Sequence, residues 1–323
     1  MGAGAWGRNI VRTLSELGTL AAVCDPSAAC LEAARKLVGE KAGHIRWSSR
    51  PEEILNDREI TGVMVATPAE THYAAGKKVL AAGKDLFVEK PLTVDLKEGE
   101  MLVKAAEAAD KVLMVGHLLE YHPAILRLQD LIRSGELGEV RYMMSHRLNL
   151  GKIRTRENAL WSFAPHDIAV ILRIAGKMPL EVISTGGAYV SPNIPDTTLM
   201  QMLFANGVRA HIYVSWLHPF KEQKLVVVGS KKMASFCDIT KELILYDQRV
   251  EWKKGQPVPV KGDGHKVEFS QAEPLAEECR HFMECIRTRA TPRTDGRKGL
   301  EVLSLLHAAQ KSISTNGKQV LIK

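Results

Sequence analysis

Short apolar runs and segments of helical periodicity alternate over the first third of the chain. The runs at residues 20–25, 62–67, 85–88 and 112–117 are predicted strands, and the segments at 28–38, 73–83 and 97–109 are predicted helices. Strands separated by helices of about ten residues are typical of βαβ units, which build a parallel sheet covered on both faces. The pattern therefore predicts a doubly wound α/β domain over residues 1–118.

The pattern changes after residue 118, where the predicted strands are longer and closer together. They cover residues 140–147, 182–189, 197–204, 208–216, 224–229, 234–238 and 242–247, and helices are predicted at 124–134, 273–289 and 296–314. Asn206-Gly207 favours a hairpin, because both residues tolerate positive φ. Residues 119–323 are therefore predicted to form an α+β domain with an open, mostly antiparallel sheet. One face would bind the substrate, and the more apolar face would pair subunits of a homodimer or homotetramer.

A glycine-rich motif opens the chain. Gly2-Ala3-Gly4-Ala5-Trp6-Gly7 fits G-x-G-x-x-G and precedes a predicted helix at 8–17. In such a Rossmann-type turn the glycines allow a tight bend, close approach of a pyrophosphate and close helix packing. Asp25 ends the next strand, 18 residues beyond Gly7, where a carboxylate binds a ribose 2′-hydroxyl and repels a 2′-phosphate. The motif predicts a dinucleotide cofactor bound by Gly2, Gly4, Ala5, Trp6, Gly7 and Asp25, with NAD favoured over NADP. The alternative for Asp25-Pro26 is a plain strand-ending turn.

Only Met1 precedes this motif, although the glycine turn should follow a strand. In the doubly wound order that strand is central and pairs on both sides. We therefore expect the first strand to be missing from this sequence, and several apolar residues to precede Met1 in the natural protein.

Two further motifs end predicted strands of the first domain. Ala66-Thr67-Pro68 is followed by His72, and Phe87-Val88 runs into Glu89-Lys90-Pro91. Ligands of open α/β sheets bind at the carboxyl ends of the strands, where a lysine can hold a substrate oxygen or relay its proton. The alternatives are an ordinary turn at Thr67-Pro68 and a solvated Glu–Lys pair.

Composition narrows the possible partners. The 44 Lys and Arg exceed the 37 Asp and Glu by seven, but these charges form no basic stripe of the kind that binds nucleic acid. An anionic small molecule fits this mild excess. The five cysteines form no Cys-x-x-Cys pair, which indicates reduced thiols and no metal site. No apolar run approaches the ~18 residues that span a membrane, and no signal peptide is predicted, so we expect a cytoplasmic protein.

Taken together, these motifs resemble those of the Gfo/Idh/MocA oxidoreductase family. The resemblance rests on the glycine motif, Ala66-Thr67-Pro68 with His72, Glu89-Lys90-Pro91 and the segment 135–140. It implies hydride transfer between NAD and a hydroxyl-bearing carbon of a sugar or cyclitol, with Lys90 catalytic or positioning the substrate. Residues implied to contact the cofactor are Ala66, Thr67, Pro68, His72, Glu89 and Lys90. Because some members of the family are regulators, a non-catalytic NAD-binding protein is the alternative.

The resemblance also covers the segment 161–168. The family places an Asp or Asn four residues before a catalytic His; here Ser162 stands before His166. Imidazole titrates near neutral pH and suits removal of a hydroxyl proton. Pro165 predicts the first turn of a helix, and Asp167 would orient the ring or contact the substrate.

The loop before this segment carries further candidates for substrate binding. They are Arg154, Arg156, Asn158 and Trp161, beside Lys90, His166 and Asp167. Arginines bind anionic sugars through paired hydrogen bonds; a plain surface loop is the alternative. The region resembles the sugar-nucleotide branch, which includes UDP-N-acetylglucosaminuronate 3-dehydrogenases. A sugar or nucleotide sugar, such as a UDP-N-acetyl-hexuronate oxidised at its 3-position, is the implied substrate.

Overall fold

The computed structural model describes residues 1–322. Its helices are α1 (Gly7–Glu16), α2 (Ala28–Val38), α3 (Pro51–Leu55), α4 (His72–Ala81), α5 (Leu96–Ala108), α6 (Pro123–Arg133), α7 (Ala159–Ala175), α8 (Pro274–Thr288) and α9 (Gly296–Ser314). The first strands are β1 (Ala22–Cys24), β2 (Arg46–Ser48), β3 (Gly62–Val65), β4 (Asp85–Glu89) and β5 (Leu113–Gly116). The later strands are β6 (Val140–Leu148), β7 (Glu181–Gly187), β8 (Thr197–Leu203), β9 (Arg209–Ser215), β10 (Glu222–Gly229), β11 (Met233–Cys237), β12 (Glu242–Tyr246), β13 (Arg249–Lys253), β14 (Gln256–Val260), β15 (Gly264–Lys266) and β16 (Val320–Leu321). No helix within residues 1–322 is long and apolar enough to cross a membrane.

The chain divides into two compact units. The first comprises residues 1–121 with 272–303, and the second comprises 122–271 with 304–323. The first unit thus gives way to the second between residues 121 and 122, a few residues beyond the boundary expected at 118, but the chain returns to the first unit at residue 272. Apolar residues of α8 explain the return, because Cys279, Phe282 and Cys285 are buried in one core with Phe87 and Met114. The second unit is therefore not the continuous segment 119–323.

Parallel pairing organises the first unit, as the alternation of strands and helices predicts. β4 lies between β3 and β5, and all five residues of β4 are buried. A strand covered on both faces needs apolar side chains on both, which agrees with the run Leu86-Phe87-Val88. β1 pairs with β2 in a separate parallel sheet; the apolar pattern did not predict β2, because its sequence Arg46-Trp47-Ser48 is not an apolar run.

A slot separates the two parallel sheets, because β1 and β3 each pair with a strand on one side only. At one end of the slot, Gly2 N–H donates to the carbonyl of Cys24 at 2.8 Å and Ala66 N–H donates to the carbonyl of Met1 at 2.8 Å. The Met1 amine donates to the carbonyl of Met64 at 2.7 Å. Beyond these contacts lies an apolar cavity of about 250 Å³. Its lining includes Ile10, Leu20, Ala22, Ile60, Phe282 and Ile286. Among residues 1–322, no strand precedes the glycine motif.

The second unit contains one nine-stranded sheet. Its strand order is β15-β12-β11-β10-β6-β9-β8-β7-β16, and β6 with β9 is its one parallel pair. The mostly antiparallel sheet confirms the predicted fold class. Alternate residues of β8 and β9, such as Met200, Ala210 and Ile212, are buried, whereas Leu199 is exposed. The hairpin β13–β14 was not predicted; its two strands have five residues each and are largely exposed, including Val250 and Trp252.

Candidate functional site

The glycine motif forms a tight loop against the end of β3. Gly2 has φ +89°, and a Cβ atom there would lie 2.6 Å from the carbonyl oxygen of Ala66. A Cβ at Gly7 would lie 2.1 Å from the carbonyl oxygen of Gly2. Side chains are therefore excluded at both positions. By contrast, a Cβ at Gly4 would meet no atom within 4 Å, so the middle of the loop is open, as the approach of a pyrophosphate requires.

Asp25 lies directly beside this loop. Its Oδ2 accepts a hydrogen bond from Ala3 N–H at 2.7 Å, and its Oδ1 accepts one from Ser27 N–H at 2.8 Å. The carboxylate is 8% exposed, and each oxygen has a second lone pair for a hydroxyl donor. The open loop and this carboxylate therefore fit a dinucleotide whose ribose lies beside its pyrophosphate.

His72 connects the two other motifs of the first unit. Its Nδ1 lies 2.8 Å from the carbonyl oxygen of Pro91, and its Nε2 lies 2.9 Å from that of Thr67. Burial lowers the pKa of His72, although the two carbonyls oppose this shift. The ring is buried and ties the two motifs together. Both ring nitrogens face protein carbonyls, and the contact of His72 with a coenzyme stays a prediction.

Glu89 and Trp6 join the glycine loop to the end of β4. The Trp6 Nε1–H donates to Glu89 Oε1 at 2.5 Å, and Lys90 N–H donates to Glu89 Oε2 at 3.2 Å. Burial raises the pKa of Glu89 to about 7, against the lowering effects of the Trp6 hydrogen bond and the Lys90 charge. Glu89 is thus not a solvated partner of Lys90, but a buried carboxyl between two motifs.

Lys90 follows β4 and begins the cis peptide to Pro91. His117, which follows β5, is buried. Burial and the positive charge of Lys90 lower the pKa of His117 to about 3, so its ring is neutral near pH 7. His117 is not among the residues predicted from the sequence, although its position directly after a strand, like that of Lys90, was an available signal.

The candidates of the second unit lie on α7 and the loop before it. The helix begins at Ala159, so Pro165 lies inside it rather than in its first turn. The Asn158 side chain caps the helix by accepting from Trp161 N–H at 3.2 Å. Asn158 Nδ2 and Trp161 Nε1 also donate to Gln310 Oε1, at 2.7 and 3.2 Å. Both side chains therefore hold the start of α7 in place.

Asp167 is held against β6. Its Oδ2 accepts from Arg147 Nε at 2.9 Å, while its Oδ1 accepts from Arg147 Nη2 at 3.1 Å and from Ser145 Oγ at 2.7 Å. Asp167 is 3% exposed. Burial lowers the pKa of Arg147, but the charge of Asp167 and its hydrogen bonds outweigh this effect, so the pKa of Arg147 lies above its ordinary value. Asp167 therefore anchors α7 to the sheet, and its contact with the substrate stays a prediction.

His166 and Ser162 lie one turn apart on α7, and His166 is half-buried. In the preceding loop, Arg154 Nε lies 3.1 Å from Glu157 Oε1 in an exposed pair, and Arg156 is exposed. The structure thus brings the glycine loop, Asp25, Thr67 and Lys90 together in the first unit. It places His166 and the two arginines in the second. Within residues 1–322, no group of three or more His, Cys, Asp or Glu is arranged to hold a metal ion.

Comparison with known proteins agrees with this geometry. Residues 1–117 match the family profile described as "Oxidoreductase family, NAD-binding Rossmann fold". Residues 125–235 match the profile described as "GFO/IDH/MocA C-terminal domain". The first of these ranges contains the glycine loop, Asp25 and Lys90, and the second contains His166. The first unit is therefore a domain that binds a nicotinamide coenzyme.

Individual relatives cover nearly the whole chain. A UDP-N-acetylglucosamine 3-dehydrogenase of Acidithiobacillus ferrooxidans is 26% identical over 305 residues, which are 94% of this chain and 93% of the relative. Its solved structure aligns with a TM-score of 0.84 at 25% identity, over 97% of this chain and 96% of that one. A scyllo-inositol 2-dehydrogenase (NAD(+)) of Bacillus subtilis is 25% identical over 84% of this chain and 80% of its own length.

A further solved structure, an oxidoreductase from Agrobacterium radiobacter in complex with NAD+, L-tartaric acid and magnesium, shares the fold. It aligns with a TM-score of 0.81 at 19% identity, over 99% of this chain and 96% of that one. With both profiles in chain order and this fold agreement, the chain belongs to the Gfo/Idh/MocA family of oxidoreductases.

Proposed function

We propose that this chain is an NAD-dependent dehydrogenase that transfers a hydride between nicotinamide and a hydroxyl-bearing carbon of a sugar or nucleotide sugar. The observation that carries the proposal is the open glycine loop with the Asp25 carboxylate hydrogen-bonded to its backbone. The names of the relatives support the substrate class, because one acts on UDP-N-acetylglucosamine and another on scyllo-inositol.

The residues that would hold the coenzyme belong to the first unit. The backbone around Gly4 would receive the pyrophosphate, and Asp25 would accept from the ribose hydroxyls. A negative carboxylate at the ribose repels a 2′-phosphate, which favours NAD over NADP. When bound, the nicotinamide ring accepts or returns the hydride. Comparing the dissociation constants of NADH and NADPH by calorimetry tests this preference, and equal constants would contradict it.

Lys90 and His166 are the residues we assign to the reaction. A lysine ammonium donates hydrogen bonds and has no acceptor atom, so Lys90 would hold the oxygen that becomes a carbonyl. His166 would take the hydroxyl proton as a general base. Asp167 would act indirectly, because its contacts with Arg147 and Ser145 fix the helix that carries His166.

The anionic part of the substrate would be bound by exposed arginines. Arg154 and Arg156 lie in the loop just before α7, and arginine binds phosphate or carboxylate through paired hydrogen bonds. This favours a UDP-sugar, such as a UDP-N-acetyl-hexuronate oxidised at its 3-position, over a neutral cyclitol.

Turnover is measured by NADH absorbance with a panel of sugars, cyclitols and UDP-sugars. Lys90→Ala and His166→Ala should each lower kcat by about 10²–10⁴-fold, the contribution typical of general acid–base catalysis, while the dissociation constant of NADH changes little. A variant with wild-type kcat removes that residue from the mechanism. Tight NADH binding without turnover of any substrate would instead favour the non-catalytic regulator.

We further infer a cytoplasmic homodimer or homotetramer. The outer side of the nine-stranded sheet presents Leu199, Tyr213, Met144 and Val226 on neighbouring strands, and all four are exposed or half-buried. Exposed apolar side chains on neighbouring strands favour association of subunits, and His146 and His211 lie among them on the same face. Light scattering tests the mass, and a monomer at micromolar concentration would contradict the inference.

A further inference from the structure

Trp6 and Glu89 are 83 residues apart in sequence, yet their side chains are hydrogen-bonded. Trp6 belongs to the glycine loop and is 41% exposed, whereas Glu89 ends β4 and is buried. The second Glu89 oxygen accepts from the backbone N–H of Lys90. One carboxyl therefore contacts both the loop that would receive the coenzyme and the residue that would hold the substrate oxygen.

The Glu89 carboxyl has little freedom to move. It lies opposite Gly116 on β5, and a Cβ atom at Gly116 would lie 2.8 Å from Glu89 Oε2. The ring of Phe87 lies 3.1 Å from the same Cβ position. The backbone of Gly116 and the ring of Phe87 therefore confine the Glu89 carboxyl, so it has little room to reorient when its hydrogen bond to Trp6 changes.

The surroundings of Glu89 are acidic and buried. Glu278 on α8 is fully buried, and neither of its carboxyl oxygens accepts a hydrogen bond from any residue in 1–322. Burial raises the pKa of Glu278, and the charges of Glu89 and Glu120 raise it further. The titratable groups around Glu89 and its neighbours are Lys90, His117, Glu120, Glu278 and Cys279. Buried carboxyl groups close to one another disfavour ionisation. The protonation state of Glu89 therefore depends on the hydrogen bonds that it accepts from Trp6 and Lys90.

We propose that Trp6 and Glu89 form a positioning pair that transmits the state of the glycine loop to Lys90. The proposal rests on the proposed function and adds a coupling between coenzyme binding and the residue that holds the substrate. The indole N–H stabilises the Glu89 carboxylate, which in turn fixes the backbone of Lys90. An anionic coenzyme at the loop makes protonation of Glu89 more favourable, and by linkage protonation strengthens binding of the coenzyme.

The pair is tested first without coenzyme, by titrating tryptophan fluorescence. Wild type should show a step with a midpoint near pH 7, where burial places the pKa of Glu89. Trp47→Phe is the matched control, because Trp47 Nε1 also donates one hydrogen bond, but to the carbonyl of Ala42; it should keep the step. Trp6→Phe and Glu89→Gln should both lose it. Because glutamine still accepts from the indole, Glu89→Gln preserves the contact and removes the titration. A step that persists in Glu89→Gln overturns the proposal.

The coupling is tested next with NADH. The midpoint in wild type should rise by about half a pH unit on saturation, and NADH should bind about threefold more tightly below the midpoint than above it. Glu89→Gln should bind NADH equally at both pH values. Equal binding in wild type as well overturns the coupling while leaving the proposed function intact. Failure of wild type to bind NADH at any pH overturns both.

The effect on Lys90 is tested by the pH profile of kcat/KM. Loss of a hydrogen bond to a charged group shifts that group's pKa by about one unit or more. Trp6→Phe should therefore raise the pKa of Glu89, and the pH at which kcat/KM falls on the acidic side of the profile should rise by about one unit. Trp47→Phe should leave the acidic side of the profile unchanged, because it removes an indole that does not contact Glu89. An unchanged acidic side in Trp6→Phe, together with a normal unfolding midpoint, removes Trp6 as a positioning residue.

Discussion

Four buried polar residues, two from each unit, are held in different ways. In the first unit, Asp25 and His72 contact backbone groups, namely two N–H donors and two carbonyl oxygens. In the second unit, Asp167 contacts the Arg147 and Ser145 side chains, and Asn158 contacts Gln310. A backbone partner is supplied by any sequence that folds this way, whereas a side-chain partner depends on one other residue.

This difference has an energetic consequence. Removing one member of a buried ion pair leaves the other charge without compensation, which costs far more than the pair contributes. Losing a neutral hydrogen bond to a carbonyl costs less, because the carbonyl is uncharged. Asp167 should therefore respond more strongly to substitution than His72.

The largest effect is expected for Asp167→Asn, which leaves the Arg147 guanidinium buried without its carboxylate. We expect a loss of about 3–5 kcal/mol in the free energy of unfolding, measured by urea denaturation. Glu157→Gln is the control, because its pair with Arg154 is exposed and should contribute at most about 1 kcal/mol. Equal losses in the two variants would show that the buried Asp167–Arg147 pair contributes no more to stability than the exposed Arg154–Glu157 pair.

His72→Phe tests the first unit. It removes the contacts with Thr67 and Pro91 and should cost about 1–3 kcal/mol. Because burial lowers the pKa of His72, the unfolded chain binds the proton more readily, and this residue's contribution to stability is lost as the pH falls below its ordinary range. Unfolding at pH 7.5 and 5.5 should therefore show a difference between wild type and His72→Phe that narrows at the lower pH. A difference that widens in acid would contradict this assignment.

The effect expected for Glu278, to which none of residues 1–322 donates a hydrogen bond, starts near zero at pH 4.5 and grows as the pH rises. Its raised pKa means that the folded protein holds a proton that the unfolded chain releases above its ordinary pKa of 4.5. Wild type should therefore lose up to about 1.4 kcal/mol relative to Glu278→Gln for each pH unit above that value. Glu277→Gln on the same helix is the control, because Glu277 is paired with Arg280. Parallel pH curves for wild type and Glu278→Gln would show that Glu278 ionises freely.

The sequence predicted more of the first unit's site than of the second's. The glycine motif and Asp25 were recognised from spacing alone, because a tight turn and a strand end are local features. The hydrogen bond of Trp6 to Glu89 and the burial of His117 and Glu278 were not predicted, since those residues come together only when β4, β5 and α8 pack. In the second unit, Pro165 predicted a helix start that the Asn158 cap places a turn and a half earlier.

The sequence by itself determined the elements and their class, because periodicities of 2 and 3.6 residues and turn chemistry act over a few neighbouring positions. It also predicted a dinucleotide site at the glycine motif and Asp25. The tertiary structure alone decided that α8 returns to the first unit, that Asp167 faces β6, and that Glu89 lies between Trp6 and Lys90. These outcomes depend on contacts between residues 20 to more than 150 positions apart. No local pattern encodes which of two polar side chains on such distant segments will meet in the folded core.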